Sequence, residues 1–185
     1  MKEIVQKFPV TGKEYANLEE KFGELCEYQA WQLLKKNSKN NHTDGQEDIA
    51  QDMRIALLRS ASYYKRQCYI ESCLKICEEY AKDDFMKSML DQLKDLWINK
   101  TRHGANRQKF GEYQENILDK MVKCLVPIKK RPSKKEPLLM DTKFITYCKA
   151  ITWNAQKALG KKITREKTIR TGMVSLSEYD YLGGS

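Results

Sequence analysis

The sequence predicts an all-α fold, and three observations carry that prediction. Apolar residues recur at spacings of three and four along most of the chain, the period of a single helix face. Helix-favouring Leu, Lys, Glu, Ala, Gln and Met are abundant, while the 185 residues hold only four prolines and nine glycines. A hydrophobic content of 41% is enough to form a core. This length suits one domain, or one domain carrying a large insertion.

Taken in order, Tyr15, Leu18, Phe22, Leu25, Cys26 and Leu33 mark an amphipathic helix over about 13–36. The polar run "KKNSKNNHTDGQ" ends it, and Asp44 is placed to cap a second helix, about 46–62, with Ile49, Met53, Ala56 and Leu57 inward. A third helix, about 67–81, uses Ile70, Cys73, Cys77 and Tyr80. A fourth, about 83–98, turns Phe85, Met89, Leu93 and either Trp97 or Leu96 inward. After the glycine-punctuated loop "NKTRHGANRQKFG", Ile117, Leu118, Met121 and Leu125 mark a fifth. The proline-bounded "VPIKKRPSKKEP" cannot be regular helix throughout. The sixth begins at "MDTKFITYCKAITWNAQKALGKKITREK", 140–167, entered through Asp141 or Thr142 with Phe144, Cys148, Ile151, Ala155 and Leu159 as its core stripe. Beyond Gly160 the chain reads as basic, with a short helix, and then as the tail "VSLSEYDYLGGS".

Charge is unevenly spread. Between Lys120 and Gly172 stand fifteen Lys or Arg against three acids, whereas the remainder carries 19 against 22. One third of the chain is a strong cation on a nearly neutral body, which points to nucleic acid as a partner of that third. No run of eighteen apolar residues predicts a membrane span, and the N-terminus "MKEIVQKFPVTGKEY" lacks the apolar core of a signal peptide. Six cysteines include no CxxC pair, and only His42 and His103 could complete a metal site, so the expectation is reduced core thiols in a cytoplasmic protein with no metal or cofactor. No phosphate-cradling GxxxxGK[ST] loop or nucleophile–base pair is evident, and the chain is not expected to be an enzyme.

Two stretches stand out. In "GQEDIAQDMRIALLRSASYY", 45–64, burying Ile49, Met53 and Leu57 leaves Glu47, Asp48, Gln51 and Asp52 outward, near the helix start where acids suit the dipole. In the sixth helix Tyr147, Trp153, Asn154 and Gln156 stand among Lys149, Lys157, Lys161 and Arg165. Rings that stack bases, amides that read edges and cations that hold phosphates are the requirements of single-stranded nucleic acid. A solvated helix start and aromatics padding a core edge fit the same spacings.

Taken together, "EDIAQDMRIALLRSASYY" and "KFITYCKAITWNAQKALGKKITREK" resemble conserved region two of bacterial sigma factors, the promoter-recognition subunits of RNA polymerase. The resemblance implies a sigma region-2-like helical domain, with a helical insertion between the polymerase-binding and DNA-reading helices. Its expected parts are 1–64 with the polymerase-binding helix, 65–139 as the insertion, 140–172 as the promoter-melting helix, and 173–185 as an acidic-hydrophobic tail. Asp48, Gln51 and Asp52 match residues that grip the coiled coil of the largest polymerase subunit. Tyr147 matches the aromatic that stacks on a flipped minus-ten adenine, with Phe144 and Thr146 around that pocket and Lys143 nearby. Where the family keeps a tryptophan pair this chain has Ala150 and Ile151, with Trp153 one turn on. The tail, with Leu176, Tyr179, Tyr181 and Leu182, is similar to those of tailed-phage late sigma factors that dock on the polymerase β flap. No helix-turn-helix for the minus-thirty-five element follows, which implies a coactivator. "IKKRPSKK" reads as a phosphate-contacting strap. The implied partners are core polymerase and promoter DNA. A polymerase-binding regulator that reads no promoter, or a general nucleic-acid binder, are the alternatives from other classes.

Overall fold

A computed structural model describes residues 2–36, 45–99 and 110–182. The described residues form six α-helices and no strand: α1 (Lys2–Lys7), α2 (Gly12–Lys36), α3 (Gln46–Tyr80), α4 (Asp84–Asn99), α5 (Glu112–Leu125) and α6 (Thr142–Leu182). A single 3-10 turn, Ile128–Lys130, follows α5. No described helix is long and apolar enough to cross a membrane.

The chain divides into two compact units, residues 1–9 with 62–137 and residues 10–61 with 138–185. In the second of these, Leu18, Phe22, Cys26, Ala30 and Leu33 of α2 form a core with Ile49, Met53, Leu57 and Ala61 of α3 and Phe144, Cys148 and Ile163 of α6. A reciprocal cap starts α2: the Thr11 amide donates to Glu14 at 2.7 Å and the Glu14 amide to the Thr11 hydroxyl at 3.3 Å. The other Glu14 carboxylate oxygen accepts the Leu138 amide at 2.6 Å, tying the start of α2 to the approach to α6.

The other unit packs Ile70, Cys73 and Cys77 of α3 against Leu90, Leu93 and Trp97 of α4 and Leu118, Met121 and Val122 of α5. Phe110 meets Trp97 edge-on at 5.1 Å. A polar web borders this core. Arg66 binds Glu115 at 2.8 Å, the Tyr69 hydroxyl donates to Asp119 at 2.7 Å, and Lys134 reaches the same Asp119 at 2.7 Å. Burial, reinforced by the bond to Asp119, holds the Tyr69 phenol well above its ordinary range.

Several expected elements differ. The helices expected at 46–62 and 67–81 are one helix, α3, because "YYKR" at 63–66 contains no breaker. Its cations find partners: Lys65 donates to the Pro9 carbonyl at 2.9 Å, and Arg66 to Glu115. Phe85, expected inward, is 70% exposed, and Leu90 takes the core position. Neighbours 85 and 86 are equally compatible with a helix face, so packing decides between them. The α6 core stripe is Phe144, Cys148, Thr152, Gln156 and Ile163, with Ile151, Ala155 and Leu159 only partly buried. That helix also runs on to Leu182, through the boundary expected at 172/173. The turn α1 falls in a stretch where no helix was expected, and residues 1–9 belong with 62–137 rather than with α2. The expected cap Asp44 and both histidines lie outside the described residues.

Candidate nucleic-acid interface

Asp141 starts α6, its side chain accepting the Phe144 amide at 2.8 Å and its carbonyl the Ile145 amide at 2.9 Å. From there an i+4 stripe, Phe144, Cys148, Thr152 and Gln156, faces the core. The Thr152 hydroxyl donates to the Lys149 carbonyl at 2.9 Å, and the Gln156 amide donates to the Gln29 carbonyl of α2 at 3.2 Å and to Gln32 at 3.4 Å. Both buried polar groups are thus satisfied within the protein, as burial demands. Gly160 continues the seam: a Cβ there would stand 3.3 Å from a Leu33 methyl of α2. The close approach accounts for a glycine inside a helix despite its propensity cost of about 1 kcal/mol.

Opposite this stripe lies an exposed one. Lys143, Thr146, Ala150, Trp153, Asn154, Lys157, Lys161 and Arg165 recur at three and four residues, and all are exposed. The Trp153 ring is 52% exposed, and the Lys157 ammonium sits over it at 5.3 Å. Lys149 is exposed one position before Ala150. The Thr146 hydroxyl donates back to the Thr142 carbonyl at 2.8 Å, leaving its oxygen able to accept a further bond. Glu166, the one acid of α6 with a described side chain, lies 4.0 Å from Lys162. The face is therefore cationic with one exposed indole, a surface suited to phosphates and to stacking.

Not every residue expected to touch DNA reaches that face. Phe144 has no exposed surface and Gln156 is buried against α2, so neither meets a base while α6 is packed. Tyr147 is half-buried, its ring parallel to that of Phe144 at 6.4 Å and its hydroxyl donating to the Ser60 carbonyl of α3 at 3.4 Å.

Neither the family models, nor the curated proteins, nor the solved structures contain a match to this chain.

On α3 of the same unit, Asp48, Gln51 and Asp52 are all exposed and lie three and four residues apart on one face. Asp48 also accepts the Gly45 amide at 3.0 Å, which fixes the helix start. Beneath this face, and missed in the sequence, Arg54 is a buried hub. It reaches Glu19 at 2.9 Å, Glu27 at 2.7 Å and Glu47 at 3.1 Å. Desolvation works against its charge, but the bonds to Glu19 and Glu27 outweigh it and raise its pKa. The nearest sequence signal was Glu47 two helical turns before Arg54; Glu19 and Glu27 become visible only once α2 packs on α3.

Of the five cations of the expected strap, three are engaged within their own unit, among them Lys130, whose ammonium lies over the Tyr80 ring at 5.7 Å. Arg131 donates to the Val126 and Lys123 carbonyls at 2.9 and 2.7 Å, closing the end of α5, and Lys134 is held by Asp119. Lys129, Lys130 and Lys135 are exposed. The side chains of Leu176, Tyr179, Tyr181 and Leu182 lie outside the described residues, although their backbone is helical. Among the described residues no group of three His, Cys, Asp or Glu is placed to hold a metal ion.

Proposed function

We propose that this protein is a sigma-like transcription initiation factor that binds bacterial RNA polymerase core and captures unpaired non-template bases of a minus-ten-like promoter element. One observation carries the reading. A single compact unit presents both an exposed acidic and amide trio, Asp48, Gln51 and Asp52, and an exposed cationic stripe bearing an indole, on the two helices whose sequences resemble sigma region two. In this role Lys143, Lys149, Lys157, Lys161 and Arg165 hold phosphates. Thr146 and Asn154 contact base edges, Trp153 stacks at the border of the open strand, and Tyr147 receives the flipped base. The last role requires the Tyr147 ring to leave its bond to Ser60, a loss of about 1 kcal/mol that one base stack offsets.

The half-burial of Tyr147 favours one second reading: a polymerase-binding regulator or general nucleic-acid binder whose α6 face grips DNA without taking up a flipped base. The two separate in one experiment. Core polymerase is captured with the chain, and open-complex formation is followed by permanganate footprinting. Under the proposal Tyr147→Ala keeps polymerase capture and loses opening, while Asp48→Arg with Asp52→Arg loses capture. Undiminished opening by Tyr147→Ala refutes the flipped-base role, and normal capture by the double variant refutes the docking face.

A further inference from the structure

The geometry points to a second base-stacking platform on α2, continuous with the α6 face, so that single-stranded nucleic acid is held by two helices rather than one. The inference rests on the reading of α6 as a nucleic-acid face, but not on polymerase binding. Its starting point is a group of aromatics that core packing does not use. Tyr28 is 55% exposed and Trp31 44%, with their rings 6.1 Å apart and inclined by 26°. The Lys35 ammonium lies 4.8 Å from the Trp31 ring centre, and the Gln32 amide donates to the Tyr28 hydroxyl at 2.8 Å. Two exposed rings, a cation over one of them and a neighbouring amide repeat on α2 what Trp153, Lys157 and Asn154 offer on α6.

Both sets stand on the same side of the helix pair. The α2–α6 contacts advance together along both chains, Gln29 with Gln156 and Leu33 with Gly160, so the helices run parallel. At about 100° per residue, Gln32 is rotated by about 60° from Gln29 in one sense, and Trp153 from Gln156 by the same amount in the other. For two parallel right-handed helices facing each other, opposite rotations lead to the same flank. Tyr28 and Lys35 follow Gln32 onto that flank and Lys157 follows Trp153, while Trp31, about 160° from Gln29, stands at the outer edge of α2 and joins the flank through its ring contact with Tyr28. The carboxylate of Glu27 is drawn off to Arg54 on the other side. Of the other charges there, the exposed Lys35, Lys36 and Lys157 outnumber the exposed Glu24, one turn before Tyr28, and leave a net positive flank complementary to a phosphate backbone. The ligand class is therefore a single strand with unstacked bases; paired bases offer no free faces to these rings.

The three tryptophans make this testable by fluorescence in the full chain, because Trp97 is buried in the other unit and serves as an internal control. The probe is an oligothymidylate of about 12 nucleotides, within the span of typical single-strand sites. Quenching is expected in the wild type, to persist in Trp153→Phe through Trp31, to persist in Trp31→Phe through Trp153, and to vanish when both are replaced. Trp31→Ala should weaken binding about fivefold or more, the loss of one base stack. Inorganic polyphosphate, which has no bases, should bind without quenching. Unchanged affinity of Trp31→Ala together with no quenching in Trp153→Phe overturns the platform and leaves the α6 reading standing. No quenching in any chain overturns both. Equal quenching by polyphosphate overturns the stacking, and loss of polymerase capture by Trp31→Ala with oligonucleotide affinity intact reassigns the patch to protein contact.

Discussion

Replacing Phe144 separates a core role from a DNA-contacting one. The side chain has no exposed surface, sits in the first turn of α6, and backs the Tyr147 ring. Truncating a fully buried phenylalanine removes its transfer free energy and leaves a cavity, together about 3–5 kcal/mol. In a chain of this size each kcal/mol lowers Tm by roughly 2–4 °C, so we predict that Phe144→Ala falls by roughly 6–20 °C. Phe144→Leu, which keeps most of the volume, should cost less than about 1.5 kcal/mol. Urea unfolding followed by circular dichroism measures both. Hydrogen exchange should localise the loss of protection in Phe144→Ala to α2, the first half of α3, and α6. DNA affinity is then compared at a temperature where each variant is folded. If Phe144 touched a base, the leucine variant would forfeit a stack and bind about fivefold or more weakly. The expected result is wild-type affinity for Phe144→Leu. A stable leucine variant with lost DNA binding, or an alanine variant within about 1 kcal/mol of wild type, would refute the core assignment.

Two further predictions concern the same unit. Arg54→Met keeps the aliphatic stem but abandons three carboxylates that are themselves 38%, 52% and 79% exposed. Pairs with such partners are screened and contribute about 0.2–1 kcal/mol each, so the expected loss is about 1–2 kcal/mol, or roughly 2–8 °C in Tm, shrinking in high salt. An unchanged Tm at low salt would show that the hub contributes nothing. Burial pushes the thiols of Cys26 and Cys77 up to about 11 and those of Cys73 and Cys148 up to about 12, from an ordinary 9.0. Native alkylation at pH 8, read by mass spectrometry, should therefore mark Cys68 and Cys124, the two exposed cysteines, well before the other four. Because the folded chain keeps these four protons where the unfolded chain releases them, the associated stability is intact below about pH 9 and declines as pH climbs toward 11–12. Urea midpoints that stay flat between pH 9 and 11 would contradict this.

The helices were legible in the sequence wherever an apolar stripe and a flanking break agreed, as in α2, α4 and α5. Two failures have a common physical origin. At 63–66 and beyond Gly160 the apolar period weakens, yet nothing in the chain forbids helix, and packing supplies what periodicity lacks. Lys65 and Arg66 find acceptors, while Gly160 and Ile163 find a place against the core. The stripe of α6 was misread for a related reason. Gln156 is polar and reads as outward, and the apolar stripe leaves out Thr152, but each satisfies its own hydrogen bonds in the interior. The exposure of the candidate lysines and of Asn154 was legible, because charge and amide groups stay in water unless paired. Tyr28 and Trp31 were passed over because two aromatics at i, i+3 look the same on paper whether they line a core or leave it.

The division of the chain has a consequence for synthesis. Residues 62–137 fall within one unit, while the other needs α6 to meet helices made long before it. At about 5–20 residues per second, Ile163 follows Ala61 by on the order of 5–20 s. For that interval Leu18, Phe22, Cys26 and Leu33 have an apolar face without its α6 partner, whereas the other unit is whole as soon as residue 137 has been made. A nascent chain arrested just before residue 140 should therefore hold one finished unit beside the adhesive pair of α2 and the first half of α3, the species a holdase chaperone would seek out.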